Sequence, residues 1–194
     1  MRLIILGPPG AGKGTQAEQI AEYRSIPHIS TGDIFRENIK NETPLGLEVK
    51  HILDAGGYVT DEITNKIVAD RLHADDCADG FLLDGYPRTT AQVEALDAIL
   101  GADGHRVDAV LELVVDEQEL VQRLLARAQT SGRSDDTEDV IRERQAIYRR
   151  ETAPLCEIYS ARGLLRQIDG QGSVEEVGKR VLSVLDEIAD GADA

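Results

Sequence analysis

The segment Gly7-Pro8-Pro9-Gly10-Ala11-Gly12-Lys13-Gly14-Thr15 constrains the fold of this chain more than any other. It follows a short apolar run, Arg2–Leu6, that reads as a buried strand. It precedes residues 15–23, where Ala17, Ile20 and Ala21 recur at helical spacing. Glycines in such a turn admit backbone angles closed to other residues and let amides approach a ligand with no Cβ in the way. The helix that follows adds unpaired N–H groups and the positive end of its dipole. Strand, glycine-rich turn, lysine and helix in that order form a loop that binds phosphate groups, and they point to an α/β fold.

The rest of the chain keeps the alternation. Residues 26–30, 81–84, 108–115 and 164–168 read as strands, the third of these groups carrying Val110, Leu111, Leu113 and Val114. Helices are expected over 32–41, 44–54, 61–73 and 90–100. Another should run from a capping box of Asp116 and Glu119 to about Ala128. A long one opens at Asp136 or Thr137 and reaches about Ser160, with Pro154 interrupting it. Ser173 and Glu176 repeat the capping box before the last helix, and residues 190–194 read as a frayed tail. Strands separated by helices imply a five-stranded parallel sheet with helices on both faces and a ligand beyond the carboxyl ends of the strands. Two stretches break the alternation: residues 30–59, two helices with no strand, and residues 127–136, an irregular loop. The expectation is one domain, with a core of residues 1–29, 60–126 and 137–194 and two insertions over the ligand edge.

The 194 residues carry a net charge of −15, from 36 acidic and 21 basic side chains. That balance argues against binding to nucleic acid or to an anionic membrane. Sixteen of the basic residues are Arg and five are Lys. Arginine grips phosphate with two parallel hydrogen bonds, so arginines gathered in a few places of an acidic chain are expected to build one anion site, while most of the charge reads as a property of the host's genome or salt. No run of 18 apolar residues exists, and the apolar start is too short for a secretory signal. Cys77 and Cys156 have neither metal-ligand spacing nor a disulfide framework, so a cytoplasmic protein is expected. The histidines, at 28, 51, 73 and 105, are scattered and read as incidental.

The run from Gly7 to Gln16 is joined by four further segments: Ile29–Arg36, Asp84-Gly85-Tyr86-Pro87-Arg88, Asp135-Asp136-Thr137 followed by Arg144, and Thr152-Ala153-Pro154-Leu155. In this order they run through most of the chain, and the chain resembles the adenylate kinase branch of the nucleoside monophosphate kinases. The resemblance implies a P-loop NTPase-type sheet with a helical AMP-binding insert (30–59) and a short lid (127–136). It also implies a monomer that runs ATP + AMP = 2 ADP with Mg2+. Gly10, Ala11, Gly12, Lys13, Gly14 and Thr15 would hold ATP phosphates, with Arg123 and Arg127 near phosphates and base and the backbone of Gly172 against the ATP adenine. Thr31, Arg36 and the backbone of Gly57, Tyr58 and Val59 fall on the AMP side. So do Gly85, Tyr86, Pro87 and Arg88, and Gln92 would hydrogen-bond the adenine edge. Arg133 and Arg144 match arginines that grip the transferring phosphate and AMP. The implied catalytic set is Lys13, Arg88, Arg127, Arg133 and Arg144. The resemblance further implies a cis bond between Tyr86 and Pro87.

Gly14 stands where the general motif has a Mg2+-binding hydroxyl, so the ion is expected to be held by nucleotide phosphates and, through water, by Asp84 and Asp33. Asp135 and Asp136 are expected to fix the lid. That lid contains no Cys or His, so no structural zinc is expected. Two alternatives stand beside the main reading. One is a UMP or CMP kinase, against which Thr31 and Gln92 speak. The other is a nucleotide sensor without turnover, against which the retained Lys13 and arginines speak.

Overall fold

Strand β1 (Arg2–Leu6) is buried on both sides, with Leu3 and Ile5 in one apolar cluster and Ile4 and Leu6 in another. Such a strand belongs in the middle of a sheet covered by helices on either face. The computed structural model of the chain, which describes residues 1–131 and 137–192, has that sheet. Five parallel strands lie in the order β2-β3-β1-β4-β5, where β2 is His28–Ser30, β3 Phe81–Asp84, β4 Ala109–Val114 and β5 Leu165–Asp169. Ile5 of β1 stands opposite Asp84 on one side and Leu111 on the other.

Helices α1 (Lys13–Arg24) and α9 (Val174–Ala192) cover one face, with Ala17, Ile20, Val181 and Leu185 packed with Leu3, Ile5 and Leu111. Helices α4 (Asp61–Leu72), α5 (Thr90–Ala102) and α8 (Leu155–Ala161) cover the other, bringing Val68, Leu96, Leu155 and Tyr159 against Ile4, Leu83 and Val110. Between β2 and α4 lie α2 (Thr31–Lys40) and α3 (Pro44–Asp54). Thr43 caps α3 by accepting from the Gly46 amide at 3.0 Å, and Pro44 begins it, where a missing N–H costs nothing. This pair of helices has its own apolar cluster, Phe35, Val49 and Val59, with Ile63 and Ile67 of α4 against it.

Among the described residues the expected elements are present, with these corrections. Helix α6 (Glu117–Ser131) continues past Ala128, so residues 129–131 are helical rather than loop. Asp116 does cap it, accepting from the Gln118 amide at 2.8 Å, but Glu119 pairs with Arg123 one turn on instead of closing a capping box. The long helix toward Ser160 is three pieces: α7 (Glu138–Ile147), a π-helical turn over Tyr148–Thr152, and α8. Pro154 has no N–H, and its ring crowds the carbonyl four residues back. The chain answers one residue earlier by widening the turn, with the Ala153 amide donating to the Tyr148 carbonyl at 2.9 Å. At the other end, α9 is helical through Ala192, while residues 193 and 194 of the expected tail lie outside the described residues. The capping box of Ser173 and Glu176 closes in both directions, at 2.8 and 3.2 Å. The Tyr86–Pro87 bond is cis. Among the described residues no helix is long and apolar enough to cross a membrane.

Candidate active site

Parallel strands end on one edge of the sheet, which places the loop after Leu6, Ser30, Asp84 and Gly170 side by side. Two adjoining clefts open there. The larger, about 670 Å3, is lined by the phosphate loop from Gly10 to Thr15 with Asp33, Asp84, Arg123, Arg127 and Gly172. The smaller is lined by Thr31, Phe35, Gly57, Tyr58, Val59, Pro87 and Gln92. Lys13, Arg36, Gly85, Arg88 and Arg144 line both.

The phosphate loop bends as its glycines allow. Gly10 and Gly12 both have φ of +90°, and a Cβ on Gly10 would come within 2.9 Å of Leu124 Cγ. The Lys13 ammonium donates to the Gly7 and Pro8 carbonyls at 2.7 and 3.2 Å, folded back over its own loop. Burial lowers its pKa from 10.5 to about 8; Asp84 opposes this, while Arg88, Arg144 and Arg127 push the same way as burial. Three arginines from different parts of the sequence thus act on one lysine of an acidic protein. Two side chains brace the loop from outside. Gln145 of α7 donates to the Pro9 carbonyl at 2.8 Å. Arg123 of α6 donates to the Gly170 carbonyl at 2.9 Å and to Ala11 at 3.4 Å.

Asp84 ends β3 inside this field. Burial works to raise its pKa, but His28, Lys13 and Arg88 outweigh it and hold the carboxyl below its ordinary value. His28 Nε2 lies 3.6 Å from Asp84 Oδ2. Asp33 receives the Arg36 guanidinium at 2.5 Å.

On the other cleft, Thr31 Oγ1 and Arg88 Nε both donate to the Gly85 carbonyl, at 2.9 and 2.7 Å. Thr152 of the π turn gives its one hydroxyl proton to the Arg88 carbonyl at 2.9 Å, so Tyr58, 2.8 Å away, donates its own to Thr152. Gln92 is buried and held at both ends of its amide: Nε2 donates to Asp61 Oδ1 at 2.8 Å, and Oε1 accepts from the Arg88 amide at 2.7 Å. Tyr86 is turned into the core, its hydroxyl donating to Asn65 Oδ1 at 2.7 Å.

The structure thus brings together the residues expected from sequence, save two. Tyr86 lines neither cleft with its side chain. Arg133 lies outside the described residues, as do Asp135 and Asp136. Sequence reasoning missed Gln145, Asp61, Thr152 and His28. His28 lies on the strand that leads into the insert, two residues before Ser30, which is opposite Asp84. That position was the available signal. Thr152 opens one of the segments given above with no role attached to it, Gln145 directly follows Arg144, and Asp61 reads as an ordinary acidic residue at a helix start.

A sequence model of the adenylate kinase family matches residues 5–164. An adenylate kinase of Nocardioides sp. is 60% identical over 188 residues, covering 97% of this chain and 98% of the relative. Those of Leifsonia xyli subsp. xyli and Renibacterium salmoninarum are 57% and 56% identical over 185 residues, covering 95% of this chain and 93% and 96% of the relatives. With its five-stranded parallel sheet, its phosphate loop and its paired clefts, the chain belongs to the adenylate kinase family and is a nucleoside monophosphate kinase.

Proposed function

We propose that the chain runs ATP + AMP = 2 ADP, with ATP in the larger cleft and AMP in the smaller. The observation that carries this reading is the shared wall of Lys13, Arg36, Arg88 and Arg144. Two nucleotides seated in the clefts meet phosphate to phosphate, with cations between them. Phosphoryl transfer asks the protein for positioning and charge stabilisation and for little covalent chemistry.

Loop amides from Gly10 to Thr15 and the Lys13 ammonium hold the outer ATP phosphates. Arg123 and Arg127 stand on the ATP side, and Gly172 offers backbone to its base. Arg36 and Arg88 take the AMP phosphate. Arg144, with Arg127 and Arg133, offsets charge on the transferring group. Asp84, kept ionised by its cationic neighbours, and Asp33 both face the larger cleft and would hold Mg2+ through water. Among the described residues no set of three His, Cys, Asp or Glu could grip a metal alone, so the nucleotide's own oxygens suit the rest of its shell. When bound, the ion supplies positive charge to the ATP phosphates. Residues 30–59 cover the AMP side and keep water from the transferred group; residues 132–136 of the lid expected from sequence lie outside the described residues. The enzyme works as a cytoplasmic monomer.

The test is ADP formation from Mg-ATP with AMP, UMP, CMP or GMP, with Lys13→Ala as control. Turnover with AMP alone, lost in the variant, supports the reading. Turnover mainly with UMP or CMP overturns the acceptor, and ATP binding without turnover overturns the kinase assignment.

A further inference from the structure

The Gln92 amide could in principle turn either way round, because its oxygen and nitrogen have nearly the same shape. Here its two neighbours decide. Asp61 Oδ1, 2.8 Å from one end, belongs to a carboxylate, which only accepts hydrogen bonds. The Arg88 backbone N–H, 2.7 Å from the other end, only donates. The nitrogen therefore faces Asp61 and the oxygen faces Arg88. Turning the amide over would set oxygen against carboxylate and N–H against N–H. Asp61 is itself fixed, since Thr89 Oγ1 lies 3.1 Å from both its oxygens. The same hydroxyl accepts from the Gln92 backbone N–H at 3.2 Å, so the three residues form a closed unit at the start of α5.

One donor and one acceptor position of the Gln92 amide remain for a ligand in the smaller cleft. Their order is set by the lock. Adenine presents an acceptor at N1 and a donor at N6. Hypoxanthine and guanine present the reverse, a donor at N1 and an acceptor at O6. A base in one pose satisfies a locked amide with only one of these patterns. We infer that Asp61 is a specificity-determining residue which, by locking the Gln92 amide, makes the acceptor site take 6-aminopurine and reject 6-oxopurine monophosphates. Asp61 is a positioning residue in this, acting through Gln92. The inference rests on the reading that the AMP base lies against Gln92.

Inosine monophosphate is the sharper probe, because its base differs from adenine only on that edge. In Asp61→Asn the new amide can offer either an acceptor or a donor, so Gln92 is released at one end. The kcat/KM ratio of AMP to IMP should fall about tenfold, the worth of one hydrogen bond to a charged group. The fall should come from IMP turnover that rises, which structural damage does not produce. A ratio within twofold of the parent, or a fall through AMP alone, overturns the inference. Where the variant turns over too slowly, the same ratio is read from the binding of AMP and IMP alone. Gln92→Leu separates the two failures. If it leaves AMP kinetics unchanged, the base does not meet Gln92 and the underlying reading falls. If it weakens AMP while Asp61→Asn leaves the ratio intact, only the role of Asp61 falls.

Discussion

The guanidinium carbon of Arg88 lies 4.9 Å from the centre of the Tyr58 ring. Tyr58 closes the helical insert and Arg88 follows β3, so this contact joins the cover of the smaller cleft to the core. A cation over an aromatic face contributes about 0.5–1 kcal/mol when exposed and about 2 when desolvated. Tyr58→Leu is expected to raise KM for AMP about threefold to tenfold with a smaller change in kcat. Tyr58→Phe keeps the ring and gives up only the hydrogen bond to Thr152, so its rise should be smaller than that of Tyr58→Leu. Steady-state kinetics with AMP varied at saturating ATP reads both.

Lys13 carries a pKa lowered from 10.5 to about 8, burial being the largest cause. Between those two values the unfolded chain holds a proton that the folded, unliganded protein has released. Stability due to this group therefore rises with pH across that window. Lys13→Met removes the buried charge and should unfold at a higher temperature than the parent at pH 7. The gap should narrow as pH climbs from 8 toward 10.5. Calorimetry of both proteins without nucleotide checks the sign. In the same protein, ATP affinity should fall above about pH 8, as the loop loses its ammonium.

Gln145 donates to the Pro9 carbonyl from a buried position on α7. Pro9 lines both clefts, so the bond fixes the turn proposed to hold the ATP phosphates. Gln145→Leu keeps the bulk and deletes the bond. A net hydrogen bond is worth about 1 kcal/mol, so ATP should bind about fivefold more weakly. Calorimetric titration with a non-hydrolysable ATP analogue measures it, and an unchanged Kd would remove Gln145 from the site.

Helices α2 and α3 cross at Gly46, where a Cβ would stand 2.1 Å from the Asn38 carbonyl oxygen. That oxygen is backbone and cannot turn aside. Gly46→Ala should therefore part the two helices at a cost of about 1–3 kcal/mol. The loss is expected first as weaker AMP binding, then as a lower melting temperature, while ATP binding holds.

The sheet was legible because its signals are short-range. Apolar runs such as Arg2–Leu6 and Phe81–Asp84 and the glycines after Leu6 each specify local geometry. The site was legible through quoted motifs rather than through charge. Arg88 and Arg144 alone look like surface arginines, and only the topology turns them toward Lys13. What escaped were contacts between distant segments. No local pattern tells that Asp61 meets Gln92, 31 residues on, or that Gln145 meets Pro9, 136 residues back. The π turn escaped because the sequence marks the obstacle, Pro154, and not where the helix gives way to it.

Phe35, Val49 and Val59 form a cluster apart from the two that clamp the sheet. Two helices touch both sides of the divide: α4, with Val68 in a sheet cluster and Ile63 and Ile67 against the insert, and α2, with Ile34 against the sheet cluster and Phe35 in the insert's own. Opening the insert therefore disturbs the sheet's packing at Ile34 while leaving the other contacts of that cluster in place, and the amides of α3 can exchange with solvent without global unfolding. Choice of acceptor and tolerance of heat become separable traits. A lineage can drift in the first through α2 and α3 and in the second through α1 and α9.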